Sequence, residues 1–277
     1  MLSTDTRRQV LPRLIFGVLS FLALTLFAWP FAVGTGVVEH TLALTLSVVA
    51  IPVFAVLLSF SAESSLRSVN TVALVGVLAG VAALARVLST GFGGFELVFV
   101  VVILAGRALG PRQGFVVGVL AITLSSLVFG GFGPWSAYQM IALGWVGLGA
   151  GLIPLSWGRT TSGGTRLEVA VLALYGAISS YLFGLLMNLW FWPLAVGPET
   201  SLSLDSDASW GENLASFILY SLATSTLTWD TVRAVTTVVT LLLVGGPALR
   251  ALRRVYSRDS LDRKVLSLRV VEHEGVR

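Results

Sequence analysis

The run from Gly110 to Pro154 reads GPRQGFVVGVLAITLSSLVFGGFGPWSAYQMIALGWVGLGAGLIP, and the fold class turns on it. It holds two apolar stretches of membrane-spanning character, joined by a tight turn at Gly130-Gly131-Phe132-Gly133-Pro134-Trp135. Arg107 and Arg112 mark one end, and the far turn carries no charge. Glycines at 114 and 118, then at 144, 147, 149 and 151, give each helix a narrow face where neighbouring backbones approach closely. Just past the turn come Trp135, Ser136, Tyr138 and Gln139. An aromatic and amide cluster at one mouth of a glycine-packed bundle points to a small-molecule binder rather than a membrane anchor.

Composition agrees. The chain has 277 residues, 55% of them hydrophobic and 12% charged, whereas a soluble domain carries roughly 25% charge. This is the balance of an all-α integral membrane protein. With no cysteine, disulfides, thiolate catalysis and cysteine-based zinc sites are excluded. The histidines are His40, in an expected loop, and His273, near the C-terminus, so a histidine metal cluster is not expected, nor is a cofactor. Lys264 stands outside any GxxxxGK[ST] pattern; a chain without a P-loop is not itself a conventional ATPase. The pI of about 10.0 comes from arginines at helix ends and reads as topology, not as nucleic-acid binding.

Residues 1–13 are polar and basic and precede an apolar run at 14–33. Because that run reaches Trp29-Pro30 without a small-residue cleavage site, an uncleaved helix is expected rather than a signal peptide. A second span at 41–60 completes an N-terminal unit, 1–69, of two helices. Further apolar segments follow at 71–89, 95–109, 113–130, 136–156, 168–192 and 231–249, against the roughly 20 residues needed to cross a bilayer. The segment at 95–109 is short, a way to build a binding depression. A loop from 193 to 212 carries Glu199, Asp205, Asp207 and Glu212, and 213–227 is expected to be a short outer helix lying over the bundle. Eight spans with both ends inside leave only Arg86 and Arg233 away from the inner loops and tails, as the positive-inside rule requires. The tail, 259–277, is then cytoplasmic.

In this topology several polar residues converge on the outer half: Arg86, Glu96, Trp135, Tyr138, Gln139, Asn188, Trp190, Trp192, Trp229, Asp230 and Arg233. Ionisable groups within membrane segments are costly and point to function. A structural alternative exists for each part: Arg86–Glu96 and Asp230–Arg233 as interfacial ion pairs, and the tryptophans as an aromatic belt. Taken as one set at one mouth, they favour a pocket. A separate feature is the small-residue spacing at Gly76, Ala79, Gly80 and Ala83, which suits close helix packing within the bundle or against a partner. The spans contain no Ser/His/Asp set or carboxylate dyad, which argues for binding or transport over catalysis.

Phe129-Gly130-Gly131-Phe132-Gly133-Pro134-Trp135-Ser136-Ala137-Tyr138-Gln139-Met140 resembles a turn of the substrate-binding S components of energy-coupling factor (ECF) vitamin transporters. The Gly110-Pro111-Arg112…Gly114…Gly118 helix start, Gly147…Ala150-Gly151 and Trp229-Asp230…Arg233-Ala234…Pro247-Ala248-Leu249-Arg250 support it. The resemblance covers about 70–258 and implies a six-helix bundle, preceded here by two additional helices. It also implies capture of a vitamin or vitamin precursor at the outer face of a prokaryotic plasma membrane. Uptake would be driven by a transmembrane T component and two ATPase subunits, docked on an AxxxA face matched by Ala79 and Ala83. Loops corresponding to 89–95 and 193–230 cover the pocket in the family. A corrinoid is the first expectation for the ligand, with riboflavin-, folate- and lipid-like molecules as alternatives. The competing reading is a self-contained secondary transporter of a small organic solute, which calls for repeated halves and midplane acids; the sequence has no clear internal repeat. A membrane enzyme or assembly factor would need a catalytic set that is missing from the spans.

Overall fold

The computed structural model of the chain describes residues 4–34, 40–63, 69–89, 91, 93–154, 165–197 and 200–274. The helices are α1 (Thr4–Phe27), α2 (Trp29–Gly34), α3 (His40–Glu63), α4 (Val69–Ser89), α5 (Val98–Leu109), α6 (Pro111–Val128), α7 (Ser136–Leu152), α8 (Arg166–Ala195), α9 (Trp210–Ser221) and α10 (Thr231–Glu274), with a π-helical stretch at Leu222–Asp230. Among the described residues there is no strand.

The opening stretch forms the tightest part of the bundle. Gly110, at φ +116°, ends α5 and Pro111 starts α6 at once, since proline suits the first turn, where the missing N–H costs nothing. Gly130 and Gly131, at φ +93° and +129°, turn the chain towards α7. In between, α5, α6 and α7 meet backbone to backbone. A Cβ on Gly106 would strike the Gly147 carbonyl, one on Gly147 the Gly114 carbonyl, and one on Gly118 the Leu143 carbonyl. Gly149 makes room for the Tyr175 hydroxyl of α8, which donates to the Val146 carbonyl at 2.7 Å.

The two N-terminal helices wrap one flank of this core. Phe16 meets Phe115 edge-on at 5.1 Å, and Phe27 meets Tyr138 at 5.0 Å. Trp29 donates to the Trp190 carbonyl at 3.2 Å, and Trp145 donates to Ser20 Oγ at 3.3 Å. The expected single run at 14–33 is divided at Ala28, where Pro30 opens a new short helix.

Four helices among the described residues are long and apolar enough to cross a membrane: Val69–Ser89, Pro111–Val128, Arg166–Ala195 and the continuous Trp210–Tyr256. These cover four of the eight spans expected; α5 has 12 residues, about 18 Å at 1.5 Å per residue, and is short as the sequence indicated. The outer region differs more. The helix expected at 213–227 starts at Trp210 and is not separate, because the π-helical stretch carries it directly into α10. The loop expected from residue 193 begins later, since α8 continues through Pro193 to Ala195. α10 itself has 44 residues, about 66 Å, so it runs well past the roughly 30 Å hydrocarbon core.

At the end marked by Arg107 the helices are bolted together by ions. Arg107 Nε donates to Glu168 Oε1 at 2.6 Å, and its Nη1 to the Ile153 carbonyl at 2.7 Å. Arg253 reaches the same carboxylate with Nη1 to Oε2 at 3.0 Å and Nη2 to Oε1 at 2.6 Å. One carboxylate thus joins α5, the start of α8 and α10, and Arg107 ties in the end of α7.

Candidate functional site

At the opposite end of α5, polar side chains from four elements close around a cavity of about 190 Å³. Arg86 comes from the last turn of α4, Glu96 from the irregular stretch before α5, Gln139 from the first turn of α7 and Arg233 from the first turn of α10. Phe99, Phe183, Leu143 and Met187 supply apolar wall.

Arg233 is the hub. Its Nε and Nη2 donate to Glu96 Oε2 and Oε1, both at 3.1 Å, a two-pronged guanidinium–carboxylate pair of the strong, orientation-fixing kind. Nη1 donates to Asp230 Oδ1 at 2.6 Å and to the Ser180 carbonyl at 3.3 Å. The guanidinium also lies over the rings of Phe99 and Phe183, at 5.3 and 5.1 Å from their centroids, within cation–π range. Behind it, Asp230 Oδ2 accepts from Ser225 Oγ at 2.9 Å, and Ser225 Oγ accepts from Asn188 Nδ2 at 2.7 Å. Gly184 of α8 makes this possible, because a Cβ there would occupy the Asp230 carboxylate. Across the cavity Arg86 donates to Ser125 Oγ at 2.9 Å and to Gln139 Oε1 at 3.0 Å, and lies 5.4 Å from the Phe129 centroid. With Gln139 Oε1 accepting from Arg86, the amide NH2 is the part of that side chain left to face elsewhere. The side chain of Glu96 is 28% exposed, against 8% for Arg233 and 1% for Asp230. Glu96 is therefore the accessible acceptor of the wall.

Of the residues singled out from the sequence, Arg86, Glu96, Gln139 and Arg233 line the cavity, and Asp230 and Asn188 stand behind it. The hydrogen-bonded ion pair of Glu96 is with Arg233, whereas Arg86 donates to Ser125 on α6 and Gln139 on α7 and interacts with Glu96 through space. The aromatic residues go elsewhere. Tyr138 is fully buried and stacked on Trp190 at 4.4 Å; adjacent helical positions point about 100° apart, so it faces the N-terminal helices when Gln139 faces the cavity. Trp192 is fully buried beside Phe31 and Phe217 and donates to the Leu202 carbonyl at 2.6 Å. Trp135 and Trp229 are 52% and 47% exposed and line no part of the cavity. The Trp229 backbone packs against Gly94, two residues before Glu96. Sequence reasoning missed Ser125, Ser225, Phe99 and Phe183; Ser125-Ser126, a polar pair inside an apolar helix, was the one available signal.

The small-residue set on α4 divides in the same way. Ala79 and Ala83 are buried at 0% and 6% exposure, turned into the bundle. Gly76 and Gly80 are exposed, with open space where a Cβ would stand. A larger groove of about 790 Å³ opens between α3 and the α6–α7 turn, among Pro52, Val119, Phe132 and Pro134. Among the described residues its hydroxyls are those of Thr123 and Ser136 and no charged residue lines it, so the described lining offers few groups to orient a polar ligand.

A family model described as ECF transporter, substrate-specific component, matches residues 70–244. No curated protein and no solved structure matches the chain.

Proposed function

The chain belongs to the substrate-specific components of ECF transporters, and from that premise we propose that it captures its ligand in the cavity between Arg86, Glu96, Gln139 and Arg233. The observation that carries this reading is the convergence of those four polar side chains, from four separate elements, on one cavity of about 190 Å³. Buried charge of this kind is expensive in a membrane protein and marks function by default.

The ligand is a vitamin or vitamin precursor. The cavity is smaller than the roughly 300–1,000 Å³ typical of drug-sized ligands, which favours a compact molecule over a corrinoid. Energy comes from a T component and two ATPase subunits, since the chain has no P-loop. On α4, Gly76 and Gly80 are the small residues open to such a partner, while Ala79 and Ala83 support the helix from within. The Arg107–Glu168–Arg253 end, richer in arginine, is the cytoplasmic one by the positive-inside rule, which puts both termini inside and the cavity on the outer half of a plasma membrane.

Native mass spectrometry of gently purified protein tests the reading. We expect a small molecule bound to the parent chain and absent from Arg233→Ala, with T-like and ATPase subunits in the intact assembly. Solute movement by the chain alone in vesicles without ATPases would overturn it in favour of a secondary transporter.

A further inference from the structure

Ser225 and Asp230 stand five positions apart and share a hydrogen bond of 2.9 Å. An α-helix, at 3.6 residues per turn, would hold side chains at that spacing about 140° apart. A π-helix, built on i to i+5 bonds, brings them to one side. The stretch Leu222–Asp230 is π-helical, and the same offset recurs one residue later, where Thr231 Oγ1 donates to the Thr226 carbonyl at 2.8 Å. The irregular helix is therefore what hands Asp230 its second partner.

Consequences run towards the cavity. Asn188 donates to Ser225, Ser225 donates to Asp230, and Asp230 accepts from Arg233, which grips Glu96 with its remaining edge. Neither Asn188, Ser225 nor Asp230 lines the cavity. Glu96 lies in a non-helical stretch with Gly91, Gly93 and Gly94 at positive φ. Local backbone preference gives it little support; Gly94 packs on the Trp229 backbone, and the Glu96 side chain itself is held by the guanidinium it binds. We propose that Asn188 and Ser225 are positioning residues of the pocket, acting in series through Asp230 and Arg233 to hold Glu96 at the wall. This deepens the reading of the cavity as the ligand site and rests on it, but the series of bonds is testable without a ligand.

The chain has no cysteine, so a nitroxide on Phe95→Cys, a position 40% exposed, reports on the Glu96 stretch alone. The full-length labelled protein is studied in lipid nanodiscs by room-temperature electron paramagnetic resonance. Ser225→Ala is expected to convert immobilised signal to mobile signal, and Ser225→Thr, which keeps the hydroxyl, to restore the parent spectrum. Asn188→Ala moves the spectrum the same way by less, and the double variant matches Ser225→Ala alone, because Asn188 acts only through Ser225. A second label on Leu152→Cys, at the far end of α7, stays unchanged. An unaltered Phe95→Cys spectrum in folded Ser225→Ala overturns the proposal, as do additive effects of the two substitutions or an equal response at Leu152→Cys. Should Ser225→Ala fail to fold, Asn188→Ala decides by itself, with no change counting against. The ligand-site reading fails separately, if Arg233→Ala retains the co-purified molecule.

Discussion

Two clusters of three charged residues, one near either end of α5, are built from the same groups in opposite order. Near the cavity one guanidinium, Arg233, stands between two carboxylates, Glu96 and Asp230. At the other end one carboxylate, Glu168, stands between two guanidiniums, Arg107 and Arg253. The second cluster is closed: the side chains of Arg107 and Glu168 are each 1% exposed, and that of Arg253 is 17% exposed. The first is closed on one side only, where Asp230 is buried, and open at Glu96. Burying an ion pair costs desolvation of both partners and is rarely the cheapest way to stabilise a core. The closed cluster is explained by mechanical need, since it ties the end of α5, the end of α7 and the start of α8 to the middle of α10. The open one leaves a charged acceptor, already held in place, facing a cavity. Arrangement rather than residue type separates a bolt from a binding wall.

That distinction breaks first at Glu168. Glu168→Gln leaves two largely buried guanidiniums around a neutral amide and should cost about 3–5 kcal/mol, the usual penalty for removing one partner of a buried pair. Thermal unfolding in nanodiscs measures it. A loss below about 1 kcal/mol would mean that the closed cluster is no bolt, and the comparison would collapse.

A smaller loss is expected from Gly184→Ala. The added methyl must displace the Asp230 carboxylate, and overpacking of this kind costs about 1–3 kcal/mol. The same displacement should disturb Arg233 and Glu96, so ligand retention falls together with stability. The equivalent insult in the core, Gly147→Ala, forces α6 and α7 apart without touching Asp230. If Gly184→Ala lowers stability yet leaves the retained molecule unchanged, the open cluster is merely structural.

Only the cavity side of this contrast was legible in the sequence. Helix identity follows from apolar run length, and Arg86, Glu96, Gln139 and Arg233 could be placed at one mouth from topology alone. Partner choice could not. Glu96 and Arg233 are 137 positions apart, while the nearer candidate, Arg86, lies on a helix whose rotation the sequence does not fix. Glu168 hid for a different reason: an acid in the first turn of a helix, with Thr165 accepting its backbone N–H at 3.2 Å, looks like an ordinary capping residue. The tryptophans misled because amphipathic rings serve as core, cap or belt with equal ease, and Trp192 found a carbonyl to satisfy it among buried aromatics. Nothing in LATSTLTWD announces a π-helix, nor that its last residue, Asp230, packs its carboxylate over Gly184.

Glu96→Gln sharpens the comparison from the open side. Glu96 is partly exposed, so the stability cost should be about 1 kcal/mol or less, several-fold below that of Glu168→Gln. A hydrogen bond from a ligand to a charged acceptor contributes about 1.5–3 kcal/mol, and its loss should weaken retention roughly ten- to hundredfold. Titration by native mass spectrometry with the molecule recovered from the parent protein reads the shift. A stability loss as large as that at Glu168 with unchanged retention would reverse the assignment of the two clusters.

The smallest effect belongs to Ser209, and it tests how far the open cluster extends. Ser209 caps α9: its Oγ accepts from the Glu212 N–H at 3.3 Å, and Glu212 Oε2 accepts from the Ser209 N–H at 2.7 Å, a reciprocal capping box. Ser209→Ala should cost about 0.5 kcal/mol, the low end for an exposed cap, with faster amide exchange confined to the first turn of α9. The nitroxide on Phe95→Cys should not respond. Support for Asp230 enters at Ser225, past the end of α9, and the first turn of α9 is anchored independently by Trp210 against Phe31 at 5.8 Å. A mobilised label would show instead that α9 and the π-helical stretch move as one rigid arm. The wall at Glu96 would then be set from the surface of the protein rather than from the bonds between Asn188 and Arg233.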